Sequence, residues 1–204
     1  MLESGAASLF SDTSCPACSA AIWVNDDGLV RTGILTKAWK ELQSGHLDLA
    51  IIFSALAVEC ELGRVFTKWK NIESGLMTKR PSGFEENKWV WFLRSVGILQ
   101  RLDRVCDFLI GQSFDVFLKS QSDLAKSVHE RHPTSVSIES PRRFFDQHLF
   151  WKRDEIVHRG RIDFRSGSAE EAFKSTLTLF QIISEMDFSR RRKMAQTLSD
   201  PKFR

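Results

Sequence analysis

The sequence has no tyrosine, and only four cysteines and five prolines among its 204 residues. Four cysteines in a chain of this size do not make a disulfide framework. Cys60 and Cys106 fall inside apolar helical runs and read as small, reduced core residues. No apolar run approaches the ~18 to 20 residues that cross a bilayer. The opening Met1-Leu2-Glu3-Ser4-Gly5 lacks the basic stretch and apolar core of a signal peptide, so the expected compartment is the cytoplasm. A large charge imbalance is also missing. The chain carries 29 Lys and Arg against 26 Asp and Glu, a net charge of +3, which permits a nucleic-acid partner without requiring one. There is no Gly-rich phosphate loop and no Gly-x-Ser-x-Gly elbow, which argues against a nucleotide hydrolase and an α/β-hydrolase.

What the chain does have is apolar mass, 42% hydrophobic residues with 16 Phe and 6 Trp, enough to build a core. Residues 1–34 read as a flexible extension. In it Cys15-Pro16-Ala17-Cys18 precedes two apolar runs, Ala21–Val24 and Leu29–Arg31, that flank Asp27-Gly28 in the manner of a small hairpin. From Leu35 the helical period takes over, with a short helix to about Leu42. A nearly all-apolar helix follows from Leu47 to Lys70, with the stripe Leu49, Ile52, Phe53, Leu56 and Cys60.

Ser82 and Glu85 form a capping box that opens a helix to about Ile110, with the stripe Trp89, Phe92, Leu93, Val96 and Leu99. A third main helix runs from Phe114 to about Arg131 and stops at His132-Pro133. Ser140 before Pro141 opens a fourth that ends at Gly160. Ser168 and Glu171 cap the last helix, whose stripe is Phe173, Leu177, Phe180, Ile183 and Met186. The expectation is an all-α, four- to five-helix up-and-down bundle over residues 35–190, followed by a basic tail over 191–204.

The sharpest segment closes the fourth helix: Phe150-Trp151-Lys152-Arg153-Asp154-Glu155-Ile156-Val157-His158-Arg159-Gly160. Arg153, Asp154 and His158 resemble the Arg-polar-x-x-x-His motif that HEPN superfamily members carry on their penultimate helix. Ala55-Leu56-Ala57-Val58-Glu59-Cys60-Glu61-Leu62 is similar to the Ala-x-Glu helix that often opens such domains. The resemblance covers roughly residues 35 to 190 by helix order and motif position. It implies a metal-independent endoribonuclease of toxin or antiviral-defence type that needs no cofactor and works as a dimer. It also leaves room for an antitoxin or a nucleotidyltransferase-like partner.

The chemistry fits those residue types. A ribose 2′-hydroxyl attacking the adjacent phosphate needs a base of near-neutral pKa, which His158 would supply as general base or acid. Arg153 would bridge the phosphoryl oxygens as charge builds on them. Asp154, one turn before His158, would orient the ring. The product would be a 2′,3′-cyclic phosphate. On a regular helix Arg153 and His158 lie about 140° apart, so two helices facing across a two-fold axis would bring the Arg of one to the His of the other. The same Arg and His also suit a helix C-terminus as ordinary dipole partners. In that case the domain is a non-catalytic module that binds a nucleotide, an RNA or a partner protein.

Several residues surround this motif in sequence. Seven basic residues between Arg142 and Arg165 face four acids, and Arg142, Arg143, Lys152, Arg159 and Arg161 are the candidate RNA contacts. Glu59 is either a buried partner for Arg153 or a surface acid on a twisted helix. His148, ten residues before His158, either lines a groove or is solvated. With His46, His129 and His132 it lacks a Cys, Asp or Glu at metal-ligand spacing, so no metal site is expected. Cys15 and Cys18 supply two of the four ligands of a structural zinc. Two chains sharing one ion would complete the set, in a structural dimerisation domain; otherwise the segment is a metal-free turn.

Overall fold

A computed structural model of the chain describes residues 29–76, 97–121, 126 and 141–199. Every regular element among them is helical, and no strand occurs among the described residues. In chain order they are α1 (Leu29–Gln43), α2 (Leu47–Leu76), α3 (Ile98–Ile110), α4 (Phe114–Ser120), α5 (Pro141–Phe145), a π-helical turn (Asp146–Phe150), α6 (Trp151–Arg159) and α7 (Ser166–Ser199). None of the described helices is long and apolar enough to cross a membrane.

The all-α expectation holds for these residues, with several corrections. Leu29 and Val30, read as the second strand of a hairpin, lie in the first turn of α1. Extending a helix adds a hydrogen bond for each residue fixed, whereas an isolated two-stranded hairpin is marginal. The Cys15-x-x-Cys18 segment and the first run of that hairpin lie outside the described residues, as do His129 and His132. α2 runs six residues past Lys70, to Leu76.

The helix expected to run from Ser82 to Ile110 is not helical at Gly97. Gly97 is extended, with φ −60° and ψ 156°, and α3 starts after it. Glycine costs more than any residue but proline inside a helix, so a break there is inexpensive. The stripe residues Trp89, Phe92, Leu93 and Val96 lie outside the described residues. α4 ends at Ser120, and Gln121 leaves the helical region. α7 starts at Ser166, so Ser168 sits in its first turn rather than at its cap. Nor does α7 end at the basic run: Arg190–Lys193 lie within it.

α2 is the central element, touching α1, α3, α6, the π turn and α7. Its expected stripe is only partly inward: Ile52 and Phe53 pack half-buried against the core. Leu49 and Leu56 are exposed, while Ala50, Ile51, Ala55, Ala57, Val58, Leu62, Val65, Phe66 and Trp69 are buried. Small residues face inward because α1 and α7 both pack against this helix, and alanines let the backbones approach. Thr176 on α7 marks one such approach, donating to the Ser54 carbonyl of α2 at 3.1 Å. α7 buries a ridge of Ala169, Ala172, Phe173, Leu179, Ile182, Ile183 and Met186. Cys106 is fully buried on α3, while Cys60 is only half-buried.

The helical rod from Pro141 to Arg159 carries a feature the sequence did not announce. Its buried residues come in adjacent pairs, Phe144/Phe145 and then Leu149/Phe150. That spacing of five matches the i→i+5 bonding of a π turn, and Asp146–Phe150 adopts one. Both pairs thereby face the core, where a buried Phe contributes about 1.5 to 3 kcal/mol. The inserted residue also sets the direction in which α6 presents its motif.

Candidate functional site

The site is the exposed end of α6. Gly160 stops the helix in the left-handed region, φ 65°, and its N–H donates to the Ile156 carbonyl at 3.1 Å. The Arg161 N–H donates to the Glu155 carbonyl at 3.2 Å, which closes the helix end. His158 therefore lies in the last turn of the helix.

Arg153 Nη1 donates to Asp154 Oδ1 at 2.6 Å. The same oxygen lies 4.0 Å from His158 Nε2. The guanidinium folds back along the helix, so a single chain brings Arg153 and His158 to one carboxylate oxygen. The length of the arginine side chain covers the gap between the two helix faces.

Behind Arg153 stands a second carboxylate. Glu59 Oε1, on α2, lies 3.5 Å from Arg153 Nη2, and its Oε2 accepts from Arg101 Nη1, on α3, at 3.3 Å. Glu59 is thus a partner of Arg153, though partly rather than fully buried, with its side chain 19% exposed. An ordered chain of charges, Arg101–Glu59–Arg153–Asp154–His158, runs from the helix packing out to the surface. From Glu59 outward exposure rises: the Arg153 side chain is 32% exposed, Asp154 53% and His158 67%. The neighbouring Glu61 has a different partner, the bidentate Arg64 at 2.8 Å through both contacts.

The basic residues counted in the sequence are largely paired within the chain. Arg142 bonds to the Asp103 carboxylate, and its backbone N–H donates to Asp115 at 2.8 Å. Lys152 donates to the Ser168 carbonyl at 3.0 Å, and burial pushes its ammonium pKa down. Arg159 pairs with Glu155 at 2.8 Å. Arg161 bonds Asp163 at 2.7 Å, and that bond holds the Asp163 carboxyl below its usual range. Arg143 is exposed on α5. His148 does not reach the motif. It lies 3.6 Å from Glu171 of α7 and rests on the Phe144 ring with centroids 4.4 Å apart. Burial, and then the nearby Asp154 charge, push the Asp146 carboxyl up.

Three residues around the motif were not singled out in the sequence. Arg101 has no local signal, because its partner is 42 residues away. Glu155 is buried and holds both Arg159 and Arg161; its i,i+4 spacing to Arg159 was visible. Trp151 is 44% exposed, on the same face as Asp154 and His158. Among the described residues, no group of three or more His, Cys, Asp or Glu gathers at metal-binding range.

No protein-family model matches this chain, and neither curated proteins nor solved structures include a significant match. The functional reading therefore rests on the residues themselves.

Proposed function

We propose that this chain is a metal-independent endoribonuclease, of the toxin or defence-effector kind, that acts as a homodimer. The observation that carries the reading is the meeting of Arg153 and His158 at one anionic oxygen on an exposed helix end. A phosphate oxygen arriving beside Asp154 meets the same guanidinium and imidazole. His158 takes the proton of the ribose 2′-hydroxyl, and the 2′-oxygen attacks the adjacent phosphorus. Arg153 stabilises the charge on the non-bridging oxygens. The bond to the 5′-oxygen breaks, that oxygen takes up a proton, and a 2′,3′-cyclic phosphate and a 5′-hydroxyl result.

In-line displacement calls for a base on one side of the phosphorus and an acid on the other. The other described histidines, His46 and His148, are paired with Glu41 and Glu171. A second copy would supply a second His158 across a two-fold axis. Val157 and Ile162, exposed apolar side chains beside the motif, offer that copy a contact.

One observation favours a non-catalytic module that binds a nucleotide, RNA or protein instead. Arg153 is already held by two carboxylates, Glu59 and Asp154, which compete with an entering phosphate.

Incubation with bulk RNA in excess EDTA, beside Arg153→Ala and His158→Ala variants, separates the readings. Cleavage that survives chelation and is lost in both variants is the expected result. Equal cleavage by wild type and His158→Ala would overturn the mechanism. Toxicity on expression in bacteria, relieved by His158→Ala, belongs to the nuclease alone.

A further inference from the structure

Trp151, Asp154 and His158 recur at i, i+3 and i+7 and so share one face of α6. A tryptophan on a solvent-facing helix surface is unusual, since the residue buries large apolar area when it can. The two other described tryptophans do so in part or in full: Trp69 is buried, and Trp39 packs on Phe173 with centroids 5.3 Å apart. Phe188, exposed on α7, has Arg192 lying 4.8 Å over its ring. The ring of Trp151, by contrast, stacks on no aromatic or cationic side chain among the described residues. Its side chain is 44% exposed, two turns before His158 on the same helix face.

We propose that Trp151 is a stacking platform for a base of single-stranded RNA, placed away from the scissile phosphate that His158 serves. This inference rests on the ribonuclease reading for the position of the phosphate, but not for the stacking itself. Every base has a π face, so such a platform favours unpaired strand over duplex without selecting a sequence. Seven residues of helix advance about 10.5 Å. A stacked strand rises about 3.4 Å per nucleotide, so a base on Trp151 lies about three nucleotides from the phosphate at His158. A dinucleotide therefore reaches the reacting groups without touching the ring.

The test measures binding by the full chain carrying His158→Ala, which removes the base, to a short unstructured RNA and to an abasic strand of equal length. Adding Trp151→Ala should weaken the base-bearing strand roughly 5- to 100-fold. Trp151→Phe should retain most of the affinity. The abasic strand should bind equally well with or without the ring. In the His158 protein, Trp151→Ala should slow cleavage of long strands while leaving dinucleotide cleavage unchanged, a split that a structural role does not produce. Unchanged affinity in Trp151→Ala, or an equal loss on the abasic strand, overturns the proposal. So does a change of oligomeric state in Trp151→Ala, which would make the face a contact between copies. Base-dependent, Trp151-dependent binding by a protein that cuts no RNA would sink the nuclease reading and leave the stacking platform standing.

Discussion

A single oxygen, Oδ1 of Asp154, lies 2.6 Å from Arg153 Nη1 and 4.0 Å from His158 Nε2. Asp154 thus sets where the guanidinium points and keeps it beside the imidazole. On the proposed ribonuclease reading it is a positioning residue, and Asp154→Asn keeps its shape while weakening its ion pair with Arg153. A displacement of an ångström in the reacting groups costs up to ~100-fold, so kcat should fall about 10- to 100-fold with KM little changed. Steady-state kinetics on a short RNA measure this. An equal or larger rise in KM would mean that Asp154 acts in binding instead.

The turn that ends α6 should be sensitive to one substitution. Gly160 has φ +65°, and a Cβ built on it meets nothing within 4 Å. The cost of Gly160→Ala is therefore backbone strain alone, about 1 kcal/mol, and Gly160→Asn should cost less. Urea unfolding should show a lower midpoint with an unchanged slope.

Away from the site, Asp187 joins α7 to α2. It accepts from both Lys68 at 2.9 Å and Arg191 at 2.8 Å, and from the Trp69 indole. Burial alone would raise its carboxyl pKa, but the Lys68, Trp69 and Arg191 donors outweigh burial and hold it below the usual range. A depressed carboxylate contributes stability that is fully present above the ordinary aspartate value of about 3.9 and is lost as pH falls through its lowered value. Unfolding free energy should decline with acid in that window, and Asp187→Asn should lack this component. At neutral pH the substitution should cost about 1 to 3 kcal/mol, because Lys68 then loses its carboxylate.

Burial pushes the Cys106 thiol up to about 12, with Asp103 and Asp107 adding to the rise. Thiolate is the reactive form, so native protein should leave Cys106 unmodified by iodoacetamide at neutral pH. Peptide mapping after reaction in denaturant should show it alkylated. Rapid native labelling would mean that α3 opens locally.

Features carried by neighbouring residues were legible in the sequence. Gly160 as a helix stop, Pro141 as a helix opener and the i,i+4 relation of Asp154 to His158 depend only on residues within a turn or so of each other. The inward face of α2 was not legible, because its side chains are apolar nearly all round and the hydrophobic stripe has no contrast. Leu49 and Leu56 outranked Ala50 and Ala55 in hydrophobicity, yet close packing of α1 and α7 selected the smaller side chains. The π turn followed from where two Phe-containing pairs had to face.

The candidate site divides along the same line. The chain alone determined that Arg153, Asp154 and His158 stand at the end of one helix, because helical geometry is local. Tertiary structure decided what surrounds them. Glu59 meets Arg101 across 42 residues, and Arg142 meets Asp103 across 39. Lys152, counted as a surface cation, lies partly buried with its ammonium on a backbone carbonyl of α7. Charge counts along a sequence record how many cations a segment carries. Which of them stay available to a polyanion is settled only when helices pack, since each buried carboxylate or carbonyl takes the nearest donor to offset its own desolvation.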